Sequence, residues 1–246
     1  MHRAGAGAPL VLLHGWSFDA RVWQPLLENP PPGRAVWVLE LPGHGASAPA
    51  ATADDWLGAL LVAAPPRAEW AGWSLGGLLA LAAAAAAPER VSALTVLQVG
   101  PRFLAAPSWP AGVDPADWAA FGAALRADPT RALARFDALL QRGEADAAAL
   151  RARLRELRRG PAPAPAALAQ GLALLSSLAL EAVLAAWRGP LRAVFAAGDA
   201  LVDAESARAA LTRLNPRARV TVWPRAGHAG LLLRDADLRA LWGQPA

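Results

Sequence analysis

Ser74 stands in Gly72-Trp73-Ser74-Leu75-Gly76, the pattern G-x-S-x-G. A serine hydroxyl is a weak nucleophile at neutral pH and needs a base beside it. The chain holds four histidines, so the base can be sought by elimination. His2 lies in a terminus expected to be mobile. His14 ends an apolar run in "LLHGW", and His44 lies in the turn "LPGHGAS". His228, in "RAGHAG" just after the last strand-like run, remains as the base. An acid must orient it, and "VFAAGDALVDAES" offers Asp199 and Asp203. Asp199 directly follows a strand-like run, which puts it at the same sheet edge as the serine. Asp203 is better placed to open the next helix, where acids are favoured in any case. Two backbone N–H groups must then face a developing oxyanion. Leu75, just after the serine, supplies one. Trp16, in the loop after the first apolar run, supplies the other. The chemistry these residues fit is attack of Ser74 on a carbonyl carbon through a tetrahedral intermediate, followed by hydrolysis of the acyl-enzyme. It needs no metal or organic cofactor.

The pentapeptide alone is a weak signal in a chain with 21 glycines. Its setting is stronger. A strand-like run, "AEWAG", precedes it, and an alanine-rich helical run, "LGGLLALAAAA", follows it. The glycines permit a sharp backbone turn around the serine. Along the chain, short apolar runs alternate with helical patterns, which predicts an α/β fold with a mostly parallel sheet. The strands are expected at 10–13, 35–41, 68–72, 93–99, 191–196 and 219–223. Most are continuously apolar, as strands covered on both faces should be. Helices are expected at 21–27, 54–64, 75–87, 204–214 and 235–242, with Thr52 capping the second.

Between Trp109 and Trp187 the alternation stops and only helical patterns remain, near 115–126, 130–141, 144–159, 166–176 and 180–187. Leu150, Leu154 and Leu157 share one face of the third of these. An all-helical insertion of this size between two strands is expected to act as a lid. The domain reading is therefore a core of 1–108 and 188–246 with a lid of 109–187. "GPAPAP" at 160–165 is expected to be a stiff connector.

Apolar residues make up 55% of the 246, ample for a buried core. No cysteine is present, which excludes disulfides and thiolate chemistry. No run of about 18 apolar residues suggests a membrane span. The N-terminus lacks the apolar stretch and cleavage site of a secretory signal, so a cytoplasmic monomer is expected. A net charge of +4 gives no argument for nucleic acid. That charge is concentrated, however. Residues 126–159 carry nine arginines against five acids, and the rest of the chain balances to zero. Such a basic segment would steer an acidic partner, or form a solvated face in an arginine-biased chain. Trp16, Trp73, Phe136 and nearby leucines would suit an apolar acyl channel, or simply a core.

The segments "VLLHGW", "LELPGHGAS", "GWSLGG", "GDALVD" and "GHAG" resemble the α/β-hydrolase fold family over nearly the whole chain. The order Ser74, Asp199, His228 is that of the family's triads. Within it, "LLHGWSFDARVW", "WAGWSLGGLLA", "PERVSALTVL" and "ARFDAL" most resemble the esterases that act on pimeloyl-acyl carrier protein methyl ester in biotin synthesis. That resemblance implies acyl carrier protein as partner. It implies substrate contacts at Trp16, Leu75 and the lid residues Phe136, Asp137, Ala138, Leu139 and Leu140, beside Ser74 and His228. It also implies carrier docking at lid arginines. Arg131 and Arg135 match two such positions. Two others are Ala148 and Ala152 here, with Arg151, Arg153 and Arg155 close by. The N-terminus is shorter than usual for the family, which predicts the loss of a first edge strand. Other lid-bearing hydrolases, such as an enol-lactonase or a broad carboxylesterase, share most of these features, and a non-catalytic ligand-binding member of the fold would share them too.

Overall fold

The computed structural model describes residues 1–243, so the last three residues of the expected 188–246 core segment lie outside the described residues. Seven strands form one sheet: β1 His2–Gly5, β2 Ala8–Leu13, β3 Arg34–Leu39, β4 Ala68–Trp73, β5 Val91–Leu97, β6 Leu191–Ala196 and β7 Arg219–Trp223. Their spatial order is β1-β3-β2-β4-β5-β6-β7. All pairings are parallel except β1 with β3, which is antiparallel. Residues 10–13 of β2 and all of β4 are buried, because helices cover both faces of the central strands.

The core helices are α1 Gln24–Glu28, α2 Asp55–Ala63 and α3 Leu75–Ala86, with α9 Ala204–Leu214 and α10 Asp235–Gly243 near the C-terminal end. Between β5 and β6 lie five more: α4 Pro115–Ala127, α5 Pro129–Leu140, α6 Ala147–Leu157, α7 Pro165–Ser177 and α8 Glu181–Ala186. Leu150, Leu154 and Leu157 are the buried residues of α6, as their spacing predicts. Asp114, Asp128 and Asp146 cap α4, α5 and α6 by accepting from backbone N–H groups. Among the described residues no helix is long and apolar enough to cross a membrane.

Three expectations are corrected. The edge strand at the N-terminus is present: β1 pairs with β3 from His2 opposite Val38 to Gly5 opposite Ala35. It is mostly exposed and held by backbone pairing, so no apolar pattern announces it. His2 is therefore in a strand, with Nε2 3.7 Å from Oε1 of Glu40. Thr52 does not cap α2. Its N–H and hydroxyl both donate to Oδ2 of Asp55 at 2.8 Å, so the acid is the acceptor.

One polar residue sits inside the most buried strand. Glu69 of β4 is 2% exposed. Arg34 and Arg192 pair with its two oxygens at 2.8 and 3.1 Å, and Thr95 and Trp242 donate to Oε1. A buried carboxylate needs such partners to offset its lost hydration. This cluster locks β3, β4, β5, β6 and α10 together.

Candidate active site

The helix α3 starts one residue after Ser74. Ser74 itself has φ 54° and ψ −121°, a conformation that L-residues rarely adopt. Its neighbours hold it there. The Ser74 N–H donates to the Leu97 carbonyl at 3.0 Å, and its carbonyl accepts from Gly77 and Leu78. The flanking glycines are required by close approach. A Cβ on Gly72 would collide with the backbone of Gly76, and one on Gly76 would meet the carbonyls of Leu13 and His14. The strained turn therefore depends on the strand in front, the strand beside it and the missing side chains. It leaves Ser74 half-buried at the N-terminus of α3, where the first helical amides, Leu75 among them, have no intrahelical acceptor.

Asp199 and His228 come together from the loops after β6 and β7. Nδ1 of His228 lies 2.7 Å from Oδ2 of Asp199, and both side chains are 1% exposed. A carboxylate only accepts, so Nδ1 carries the proton and Nε2 presents a lone pair. Among the described residues Nε2 is buried and has no hydrogen-bond partner. The other carboxylate oxygen of Asp199 accepts from the Leu201 and Val202 amides at 2.8 and 3.0 Å. The acid is thus fixed by its own loop and the base by the acid. Asp203 caps α9, accepting from Ser206 N–H at 2.8 Å, as its position suggested.

Of the other buried histidines, His14 is bonded at both ring nitrogens, while His44 bonds the Pro42 carbonyl through Nδ1 at 3.0 Å and has no partner at Nε2 among the described residues. Nε2 of His14 accepts from Leu41 N–H at 3.0 Å, while Nδ1 donates to the Gly15 carbonyl at 2.9 Å. Its ring is 5.3 Å from that of His44. Burial, reinforced by His44, pushes the His14 pKa down to about 3. Burial also lowers that of His44.

Trp16 is buried and tied to the helical insertion. Its indole N–H donates to the Leu168 carbonyl of α7 at 3.0 Å, and Phe136 packs edge-on against its ring at 5.0 Å. Beside this contact, a cavity of about 570 Å³ opens between α4, α5 and the Asp199 loop, lined by Trp118, Phe121, Phe136, Leu139 and Leu201 among others, with Arg135 and Arg142 also in its wall. That volume is typical of small-molecule sites. Phe136, Ala138 and Leu139 line it, whereas Trp16 and Trp73, which the sequence placed with Phe136 in an acyl channel, do not. Trp73 packs against Phe18 and His228, and its indole N–H donates to the His228 carbonyl at 2.9 Å.

Asp137 is occupied. Arg158 pairs with it at 2.7 Å and, from the same guanidinium, donates to the carbonyl and hydroxyl oxygens of Ser17 at 2.6 and 3.0 Å. It also lies over the Phe18 ring at 4.2 Å. Asp137 therefore braces the Trp16 loop and is not in the wall of that cavity. Leu140 is fully buried and sends its carbonyl to the Ala229 N–H at 3.4 Å, so it supports the His228 loop and lies outside the cavity wall. Arg153, too, is spent internally, on Glu156 and the Arg21 carbonyl. Arg131, Arg135 and Arg155 are exposed and form no salt bridge among the described residues, while Arg151 donates to Gln141.

Sequence reasoning missed four features. Arg158 is one arginine in a run of them, with no local mark of its cross-chain partners. Glu144 is buried and binds Arg234 at 3.0 Å and the Gly227 N–H at 3.2 Å, beside His228. At Gly143 and Gly198 the backbones meet so closely that a Cβ on either would collide with the other. Gln98, in the apolar run "TVLQVG", is the fourth. A polar residue inside such a run was the available signal.

Comparison with known proteins bears on the family and the fold. The alpha/beta hydrolase family matches residues 10–241. A pimeloyl-[acyl-carrier protein] methyl ester esterase of Aliivibrio salmonicida is 35% identical, covering 92% of this chain and 87% of its own. The protein of the same name from Xanthomonas oryzae pv. oryzae is 40% identical, covering 93% and 90%. Among solved structures, an esterase from Exiguobacterium antarcticum superposes with a TM-score of 0.84 at 19% identity, covering 98% of this chain and 92% of that one. The enol-lactonase from Burkholderia xenovorans LB400 gives 0.81 at 20%, covering 98% and 93%. At those identities the structural likeness speaks to the fold alone. The match across residues 10–241 and the relatives at 35–40% identity establish that the chain belongs to the alpha/beta hydrolase family.

Proposed function

We propose that the protein is a serine carboxylesterase that hydrolyses the methyl ester of pimeloyl-acyl carrier protein, releasing methanol and the free acid. The observation that carries this reading is the likeness to esterases of that name over nine-tenths of the chain. The site supports it. In this reading His228 Nε2 takes the Ser74 proton as Oγ attacks the ester carbonyl. The oxyanion is held by the Leu75 and Trp16 N–H groups. His228 returns the proton to the departing methoxy oxygen. A water molecule then attacks the acyl-enzyme, losing its proton to His228 and releasing Ser74. Asp199 keeps His228 in the productive tautomer throughout.

The five helices between β5 and β6 serve as the lid, and the 570 Å³ cavity beneath them takes the acyl chain. The exposed Arg131, Arg135, Arg151 and Arg155 are the docking residues for the acidic carrier. The enzyme acts in the cytoplasm as a monomer.

The test is direct. Purified protein should release methanol from pimeloyl-acyl carrier protein methyl ester, and Ser74→Ala should abolish both turnover and fluorophosphonate labelling. Equal labelling of the two proteins would remove Ser74 from its role. Turnover of short-chain esters but not of the carrier-linked ester would overturn the substrate assignment and leave the esterase chemistry.

A further inference from the structure

We infer that Gln98 forms the polar wall of the small pocket that receives the alcohol side of the ester, and afterwards the hydrolytic water. The inference rests on the reading of Ser74 as nucleophile. Gln98 directly follows β5 and has φ 51°. Its backbone N–H is held by the Val194 carbonyl at 2.8 Å. The residue before it, Leu97, accepts the Ser74 N–H, so the two turns leave the sheet side by side. Gln98 is 1% exposed, and among the described residues neither Oε1 nor Nε2 has a hydrogen-bond partner. A buried amide without partners is costly, and a leucine of similar size would avoid that cost. The strained backbone adds to it. A ligand that hydrogen-bonds the amide accounts for both.

Gln98 and Ser74 line one cavity, together with Leu78, Val99, Phe103 and Val202. The charged residue in its wall, Arg102, is paired with Glu181 at 3.1 Å. The cavity measures about 10 Å³, room for one water. A seven-carbon acyl chain cannot enter it, whereas the 570 Å³ cavity can take one. What fits beside Ser74 is a group of one or two heavy atoms. A methoxy group and a water molecule meet that limit.

Both oxygens also belong in one place. In acylation the bond from Ser74 Oγ to the acyl carbon forms, the bond to methoxy breaks, and His228 gives its proton to that oxygen. In deacylation water adds to the same carbon, His228 takes its proton and returns it to Oγ as the acyl bond breaks. The reactions share one proton carrier, so the methoxy and water oxygens occupy the same site in turn. The Gln98 amide N–H donates to that oxygen, and Oε1 accepts the second proton of water.

The experiment is a series of methyl, ethyl and propyl esters of one simple acid, which needs no carrier protein. For the wild type, kcat/KM should fall at least ~10-fold from methyl to propyl, since one surplus methylene in a fitted pocket costs about that much. Gln98→Ala should flatten the fall to within about 3-fold. Gln98→Leu should keep the size preference but slow deacylation by ~10-fold, seen as a larger pre-steady-state burst. Should Gln98→Ala not fold, Gln98→Asn carries the same comparison, admitting ethyl but not propyl. A flat wild-type series, or a variant that shifts acyl-chain preference and not alcohol preference, overturns the inference. Failure of the wild type on every ester would instead overturn the esterase reading beneath it.

Discussion

The indole N–H of Trp73 donates to the backbone carbonyl of His228 at 2.9 Å. The residue before the proposed nucleophile thus holds the main chain of the proposed base, 155 positions away in sequence. Trp73→Phe keeps a large ring and removes the donor. It should lower kcat roughly 10-fold with little change in KM, and cost about 1–3 kcal/mol of stability because the carbonyl is left unpaired. Steady-state kinetics and urea unfolding measure the two effects. An unchanged kcat would mean that the His228 loop needs no such anchor.

Asp199→Asn tests the tautomer. An amide N–H facing Nδ1 would push the histidine proton to Nε2, where the lone pair is needed. The expected loss is about 10³–10⁴ in kcat. A loss below 10-fold would show that Asp199 only packs against the ring.

Stability should fall on mild acidification, through His14. Its native pKa is held down near 3, whereas the unfolded side chain titrates at an ordinary value of about 6.5. Below that value the unfolded state binds a proton that the native state refuses. The stabilisation is therefore complete above pH 6.5 and is lost as pH falls toward 3. From pH 6.5 to 5, before most carboxylates titrate, the loss is ~2 kcal/mol from His14 alone, with His44 adding in the same direction. Unfolding curves at the two pH values check this, and a flat profile would contradict it. His14→Gln should be less stable at pH 7.5 but lose less between the two.

Arg158→Met removes a guanidinium that joins Asp137 to Ser17 and lies over the Phe18 ring. The pair is only partly exposed, and Asp137 is left without its partner. A loss of about 1–3 kcal/mol is expected. The Trp16 loop is also released, so kcat should fall more than KM rises. Asp137→Asn with Arg158→Met should recover part of the stability. Failure to recover any would show that the contact to Ser17 carries the effect.

Charge reversal of Arg131 and Arg135 to Glu should raise KM for carrier-linked ester by ~10-fold or more at low salt. The effect should shrink as salt screens the contact. Short-chain esters should be unaffected by Arg131→Glu alone, whereas Arg135 stands in the wall of the acyl cavity, so its reversal changes their binding too. Equal change on both substrates with Arg131→Glu would place that arginine outside any docking surface.

Much of this was legible in the sequence, for a definable reason. Five of the six predicted strands are largely buried runs, and burial forces apolar residues into them, whereas β7 is mostly exposed. The G-x-S-x-G turn was legible because close approach excludes side chains at Gly72 and Gly76. Asp199 was legible because its loop leaves the same sheet edge as Ser74, and His228 by elimination among four histidines. What escaped was decided by contacts between distant segments. β1 is held by backbone bonds that any exposed sequence can make. Asp137 lay in a segment expected to touch substrate, yet a partner 21 residues on claims it. Arg158 looked like its neighbours until Ser17 and Phe18 were placed beside it.

The contact of Gly143 with Gly198 bears on how such enzymes diversify. The turn between α5 and α6 rests directly on the loop that carries Asp199, and Gly227 meets the Arg142 carbonyl next to it. Glu144 fastens the same turn to Arg234. The insertion is therefore no exchangeable module. Transplanting one from a relative would carry along the joint on which the acid and the base both lean. Chimeras that break the chain at the ends of the insertion should inherit the donor's acid–base geometry together with its substrate pocket. Exchanging residues within α4 or α7 would alter the pocket and leave that joint alone.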